Sequence, residues 1–351
     1  MLINNSDYFE VLDEIKTRIK EAQYRAVLGA NKELIELYWN IGRVIIANTK
    51  YGSKFIENLS RDIQLEFPNV QGFSITNLKY MRKFAATYPD FQKSQRGVDL
   101  LPWRNNITLM SKVKNPAERE WYIAQNIENG WNNTVLTHQI ELKLYERQAI
   151  AEKATNYNQL LPSPFSELAE ETLKNPYVFD FVEKRKGIIE REIERELVAN
   201  IAKTIMELGT GFAFFGNQYH IEVSEKDYYI DLLFYNTKLR CYVVIELKNT
   251  EFKPEYAGKL NFYLSAIDDM LKHESDNPSI GIMLCKTRDK LTAEYALKDI
   301  SKPIGVSEYK LSDFVPAEFL DTLPSAEDIE KRIKMEFDID DGLGGEDDDE
   351  S

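Results

Sequence analysis

Histidine and cysteine are scarce in this 351-residue chain, with three of the first (His138, His220, His273) scattered along it and two of the second. Zinc needs clustered nitrogen or sulfur ligands, so a zinc site is not expected. Cys241 and Cys285 each sit in an apolar, strand-like run (RCYVVIELK and IGIMLCK), which points to packing in a reducing compartment rather than a disulfide. There is no run of eighteen apolar residues, and the opening Met1-Leu2-Ile3-Asn4-Asn5-Ser6 has no basic segment followed by an apolar one. Neither a membrane span nor a signal peptide is expected, and the expected location is cytoplasmic.

An excess of positive charge is also missing. Lys and Arg number 44 against 58 Asp and Glu, a net charge of −14, which argues at first sight against a nucleic-acid partner. The deficit is uneven. Residues 336–351 hold nine acids and no base, whereas residues 1–150 hold 20 bases against 17 acids. The acidic end reads as a solvated, disordered tail; a less favoured reading has it compete with nucleic acid for a basic surface.

What is present divides in two. Residues 1–150 carry amphipathic helical pattern almost throughout, and all four tryptophans lie there. From about residue 200 the texture changes to short β-branched and aromatic runs around one long helical pattern, the mark of a mixed sheet with helices. The stretch 151–180, with Pro162, Pro164 and Pro176, reads as a connection, and 181–335 as the second domain. The first domain contains a helix-turn-helix-like element: FIENLSRDIQLEF, a break over 68–73, then Ser74 as the cap of ITNLKYMRKFAA. Leu78, Met81 and Ala85 would face the core there, leaving Asn77, Lys79, Arg82 and Lys83 to solvent or to a nucleic-acid groove. An ordinary antiparallel helix pair with a solvated face is an equally good account of the same pattern.

The second domain orders as a helix over 187–208, strands over 212–223, 228–235 and 240–248, a helix over 254–271 and a strand over 280–285, with a last strand near 303–309. Asp231 interrupts YYIDLLFY and Glu246 interrupts YVVIELK. Carboxylates inside apolar runs are costly unless paired or bound to metal. Side chains alternate along a strand, so Glu246 and Lys248 share a face, and Asp231 reaches it if the two strands are neighbours. Two carboxylates and a backbone carbonyl make a hard oxygen site suited to Mg²⁺ or Mn²⁺. A metal on Asp231 and Glu246 would activate water for phosphodiester hydrolysis, with Lys248 orienting or helping to deprotonate that water.

At about 100° per residue, the apolar stripe of the preceding helix includes Glu194 and excludes Glu196. Glu194 is therefore a candidate indirect metal ligand, with Glu190, one turn away, in reserve. A salt-bridge-laced helix accounts for the same glutamates. On the helix after the third strand, Lys259 and Tyr263 lie four apart on the flank of the buried stripe, where they could meet a phosphate or a base. Solvent-facing charge and rim packing are the plain alternatives.

A short D…ExK pattern arises often by chance, but the αβββαβ order around it resembles the core of the PD-(D/E)XK, restriction-endonuclease-like fold. The resemblance extends over nearly the whole chain. YWNIGRVI, GFSITNLKYMRKFAATYP, the LPW of Leu101–Trp103, EREWY, NGWNN, NPYVFDF, ELGTGFAFFGNQ, the run from Tyr228 to Leu264 and NPSIGIMLCK resemble the YhcG-type nuclease family, in which a helical N-terminal domain precedes a PD-(D/E)XK domain. That resemblance implies Asp231, Glu246 and Lys248 as the motif residues, Glu194 as the helix carboxylate, and Gln218 as a glutamine near the site. Arg104-Asn105 depart from the Gly-His that follows LPW in relatives. The expected function is metal-dependent nuclease, with DNA preferred over RNA and a homodimer expected only by analogy. A catalytically weak or inactive binding module on the same fold, and an RNA-directed nuclease, stay open.

Overall fold

The structure, a computed structural model, describes residues 5–48, 54–91 and 97–312. The chain divides into two compact units, Met1–Ile150 and Ala151–Ser351. The acidic tail and the end of the second sequence domain lie outside the described residues. Among the described residues, no helix is long and apolar enough to cross a membrane.

The first unit is helical: α1 (Asn5–Ala47), α2 (Phe55–Glu66), α3 (Ile75–Thr87), α4 (Trp103–Lys112), α5 (Pro116–Asn129) and α6 (Asn133–Glu141). α1 packs on α3 through Gly42, where an added Cβ would lie 2.0 Å from the carbonyl oxygen of Met81. α3 starts where Ser74 accepts a hydrogen bond from the Asn77 amide at 3.3 Å, and it buries Leu78, Met81, Phe84 and Ala85. Asn77 departs from the sequence expectation. It is half-buried, its amide donates to the Gly72 carbonyl, and its Oδ1 accepts from the Trp103 indole at 2.7 Å. Asn77 therefore fixes the turn and does not belong to the solvent face, whereas Lys79, Arg82 and Lys83 are exposed. Asn105 is buried, donating to Asn126 Oδ1 and to the Trp131 carbonyl, so its amide ties three segments together.

The second unit begins earlier than the sequence indicates. Residues 151–180 do not form a loose connection. They supply β1 (Ala154–Thr155), α7 (Tyr157–Leu160), α8 (Phe165–Thr172) and the start of β2 (Tyr177–Glu183), and Tyr157, Leu161, Phe165, Leu173, Tyr177 and Phe179 enter the core. The prolines break helix as expected but do not prevent packing, because the short pieces between them still bury apolar side chains. A second correction concerns the expected single helix over 187–208, which is two: α9 (Glu190–Ala199) and α10 (Ile201–Leu208). Between them Asn200, at φ −113° and ψ 41°, turns its side-chain amide back to the Glu196 carbonyl. A short polar side chain competing for backbone groups is a local reason for the break.

There follow β3 (Phe212–Val223), β4 (Lys226–Asn236), β5 (Cys241–Glu251), α11 (Pro254–Met270), β6 (Ile280–Thr287), α12 (Lys290–Leu297) and β7 (Ile304–Ser312). The sheet runs in the order β1-β7-β6-β5-β4-β3, with β2 also on β7. β3, β4 and β5 form an antiparallel meander, and β5, β6 and β7 run parallel through helical crossovers. Val243, Ile245 and Leu247 fill the core on one face of β5, beneath α8 to α10, and Val244 joins the core under α11 and α12. Gly281 lets α11 lie close on β6, since a Cβ there would stand 2.9 Å from Leu260. Cys241 and Cys285 are buried free thiols in opposite cores, and burial pushes both up to about 12.

Candidate active site

The site grows out of a place where the sheet comes apart. The β4–β5 ladder runs from Asn236↔Cys241 to Leu232↔Ile245 and stops there. One step further, continuing that register would set Asp231 opposite Glu246, and both carboxylates stand within 4.0 Å of the Lys248 ammonium. The Asp231 carboxylate takes over a ladder position, its Oδ2 accepting the Leu247 amide at 2.9 Å. On the other side of β4, a bulge between Phe214 and Gly216 shifts β3 so that Asn217 pairs Leu232 and Tyr219 pairs Ile230, which sets Gln218 opposite Asp231. Gln218 sits at φ +44°, a left-handed conformation uncommon for a residue with a side chain. Such backbone strain collects at functional sites.

Around this opening five elements converge, β3, β4, β5, α9 and α11. Glu246 is fully buried on β5, and its Oε1 accepts from Lys248 Nζ at 3.0 Å and from Lys259 Nζ on α11 at 2.5 Å. Lys248 Nζ also donates to Glu190 Oε1 at 2.9 Å and to the Leu247 carbonyl at 2.7 Å, and stands 4.0 Å from Asp231 Oδ2. On α9, Glu194 is buried and accepts from Gln218 Nε2 at 2.7 Å and from Asn217 Nδ2 at 3.3 Å. Gln218 reaches Asp231 Oδ1 at 3.3 Å and so ties the helix carboxylate to the strand carboxylate. A cleft of about 590 Å³ opens beside them, lined by Ile189, Glu190, Arg191, Glu194, Gln218, Tyr229 and Asp231.

The electrostatics follow from burial. Asp231 is pushed up to about 7, first by loss of solvent and then by the neighbouring Glu246 carboxylate, against the opposing pull of the Leu247 amide and the lysines. For Lys248, burial works against the charge, but Glu246, the Glu190 hydrogen bond and Asp231 outweigh it and hold the amine above its ordinary range. Lys259 is raised by the same balance of burial against Glu246.

The structure thus brings together Asp231, Glu246, Lys248, Glu194 and Gln218, and adds Glu190, which sequence phase had kept in reserve. Lys259 is at the site too, but on the buried Glu246 carboxylate. Tyr263 does not line this cleft: it is buried, and its hydroxyl donates to the Tyr229 carbonyl at 2.9 Å. At about 60° from Leu260 on the helix circle, Tyr263 falls inside the broad apolar stripe that a sheet covers, which corrects its expected place on the flank. Arg82 and Lys83 lie on the first unit, where with Ile46, Thr76, Lys79, Tyr80 and Ala86 they line a separate hollow of about 720 Å³. Sequence reasoning missed Tyr229, Ile189 and Arg191. Two exposed apolar side chains beside a carboxylate become visible only once β3, β4 and α9 are side by side.

The donor set suits a hard divalent cation. Asp231 and Glu246 both stand at the Lys248 ammonium, at 4.0 and 3.0 Å, the Leu247 carbonyl follows Glu246 directly on β5, and Glu246 Oε2 is a buried oxygen with no hydrogen-bond partner. A buried carboxylate oxygen left unsatisfied is expensive, and a cation would satisfy it. Among the described residues no group of three or more His, Cys, Asp or Glu is arranged around one point for a metal. Two carboxylates, a carbonyl and retained waters form a set that Mg²⁺ accepts.

Comparison with known proteins identifies what the two parts of the chain resemble. Residues 170–324 match the YhcG PDDEXK nuclease domain, and residues 14–147 match the DUF1016 N-terminal domain. The chain is 27% identical over 340 residues to the Escherichia coli (strain K12) protein named "Putative nuclease YhcG", covering 87% of this chain and 90% of that one. Among solved structures, a repair endonuclease from Pyrococcus abyssi overlaps 37% of this chain at 14% identity and a TM-score of 0.25. An EndoMS–dsDNA complex overlaps 38% at 16% identity and a TM-score of 0.26. The chain spans about half the length of each of these two solved proteins, and overlaps of that size leave their substrates with them.

Proposed function

We propose that this chain, which belongs to the YhcG-like nuclease family, hydrolyses phosphodiester bonds in DNA with Asp231 and Glu246 holding a divalent cation, Mg²⁺ or Mn²⁺. The observation that carries this reading is the pair Asp231 and Glu246, both at the Lys248 ammonium just past the point where the β4–β5 ladder stops, one of them with a buried, unpartnered oxygen. When bound, such a cation lowers the pKa of a coordinated water and neutralises negative charge on the phosphate.

The chain's own residues do the rest. Gln218 and Glu194 fix the Asp231 carboxylate by a hydrogen-bonded line from α9 to β4, so that it need not reorganise when charge arrives. Glu190 and the Leu247 carbonyl hold the Lys248 amine between the two carboxylates. Raised above its ordinary range, that amine remains an ammonium at neutral pH and acts as a donor that orients the attacking water and meets the phosphate, not as a base. Lys259 neutralises Glu246 from the other side and keeps a buried anion tolerable before the cation binds. On the first unit, the exposed Lys79, Arg82 and Lys83 of α3, a helix without an acid, would contact the nucleic-acid backbone.

The test is cleavage. Purified protein is incubated with supercoiled DNA, linear DNA or RNA, with Mg²⁺, Mn²⁺ or EDTA, beside Asp231→Ala, Glu246→Ala and Lys248→Ala. Metal-dependent cutting lost in all three supports the proposal. Binding without cutting under every metal would return the chain to the class of binding modules, and faster cutting of RNA than of DNA would reassign the substrate.

A further inference from the structure

The cleft has a wall that hydrolysis does not use. Tyr229 is 49% exposed and Ile189 59% exposed, and both line the cleft that contains Asp231, Gln218, Glu190 and Glu194. Exposed singly, such side chains need no explanation; facing one cleft beside buried carboxylates, they form an apolar surface where the adjacent chemistry is anionic. Tyr229 stands two residues before Asp231, on the part of β4 that has left β5 and pairs with β3 alone. Its position is fixed from two sides. Its carbonyl accepts the Tyr263 hydroxyl at 2.9 Å, and its ring lies 5.3 Å from that of His220, which is itself held by Asp227 at 2.6 Å. Arg191, at the start of α9, lines the same cleft and is exposed, and among the described residues it has no ion-pair partner. A held ring, an aliphatic patch and a free guanidinium beside a hydrolytic centre fit one ligand chemistry: a nucleobase flanked by a phosphate.

From this we propose that Tyr229 and Ile189 form a base-stacking subsite and that Arg191 takes the neighbouring phosphate, so that the substrate enters with its base next to the scissile bond unpaired. The inference rests on the nuclease reading and narrows its substrate to strands with an accessible base face, such as single strands, flaps or gaps, in preference to continuous duplex. Inside a duplex the face of a base is covered by its neighbours, and exposing it costs energy that an unpaired strand has already spent. Stacking on an aromatic side chain is tolerant of sequence, so the subsite selects strand state and not base identity.

The experiment separates binding from cutting. With Ca²⁺ in place of Mg²⁺ to hold the substrate uncut, a single-stranded oligonucleotide with one 2-aminopurine is titrated with the full chain, and fluorescence and affinity are read together. The wild type is expected to quench the probe. Tyr229→Ala is expected to lose the quench and bind roughly 5- to 100-fold more weakly, while Tyr229→Phe and Tyr229→Trp retain both. With Mg²⁺, wild type is expected to cut the single strand faster than the matched duplex, and Tyr229→Ala to raise KM more than it lowers kcat. Equal binding by Tyr229→Ala, loss with Tyr229→Phe as complete as with Ala, or equal cutting of duplex and single strand by the wild type would overturn the subsite and leave the nuclease standing. Quenching lost in Tyr229→Ala by a protein that cuts nothing would keep the subsite and remove the nuclease. No binding of any oligonucleotide would remove both.

Discussion

Replacing Asp231 by Asn should make the metal-free protein more stable, and should do so increasingly as pH rises. In the fold the Asp231 carboxyl titrates at about 7 because it is buried and neighbours the Glu246 carboxylate; in the unfolded chain it titrates near its ordinary 3.8. A carboxyl whose pKa is raised by folding favours the fold below its unfolded value, and that advantage is lost as pH climbs through the folded one. The ionisation cost comes to about 2 kcal/mol at pH 5 and about 4 kcal/mol at pH 8. Asn resembles the neutral acid, and its oxygen can keep the Leu247 amide. Its amide nitrogen then meets the Gln218 amide, and losing that 3.3 Å hydrogen bond costs about 1 kcal/mol. The net gain is about 1 kcal/mol at pH 5 and about 3 kcal/mol at pH 8. Urea unfolding of both proteins in EDTA at the two pH values measures it. Saturating Mg²⁺ should narrow the difference at pH 8, since only the wild type keeps both ligands; a hundredfold excess over Kd is worth about 2.7 kcal/mol. A variant less stable than wild type, or a gain that does not change between pH 5 and pH 8, would refute the reasoning.

Other consequences follow from particular contacts. Glu207→Ala strips the buried Lys174 ammonium of its carboxylate and the Val178 amide of its acceptor, so denaturant unfolding should show a loss of about 3–5 kcal/mol. Gly42→Ala puts a methyl against the Met81 carbonyl, and should destabilise the first unit by about 1–3 kcal/mol, read as a fall in its thermal midpoint. Reversing both charges in Arg82→Glu, Lys83→Glu should weaken binding to any DNA sequence alike and flatten the dependence of log affinity on log salt by about 1 per lost contact; an unchanged slope would remove that face from nucleic-acid contact. Gln218→Leu should break the line from Glu194 to Asp231 and lower kcat more than it raises KM, whereas equal effects on both would point to substrate binding.

Much of the second unit was legible because strands announce themselves by alternation and length. The runs expected over 212–223, 228–235 and 280–285 lie inside β3, β4 and β6, the run over 240–248 starts one residue before β5, and the carboxylates stood out because each interrupted an apolar run. Helix phase distinguished Glu194, buried against Gln218, from Glu196, which pairs with Arg185 away from the site. What was not legible depends on contacts between elements distant in the chain. Residues 151–180 looked like a linker because their pieces are short, and only the β7 edge they pack on explains why they fold. Asn77 looked like a solvent residue until Trp103, 26 positions away, arrived to bond it. Tyr263 and Tyr229 were both ordinary strand or helix aromatics in sequence, and the sheet covers one and leaves the other open.

The central claim is that Asp231 and Glu246 hold the cation that cutting requires. The most direct measurement is the rate of DNA cleavage as a function of Mg²⁺ concentration for wild type and Glu246→Gln, at equal protein and with EDTA controls. The account predicts a saturable, Mg²⁺-dependent rate for wild type and a rate at least about a hundredfold lower for the variant at any Mg²⁺ concentration. Cleavage by wild type in EDTA, or a Glu246→Gln rate equal to wild type, would contradict it.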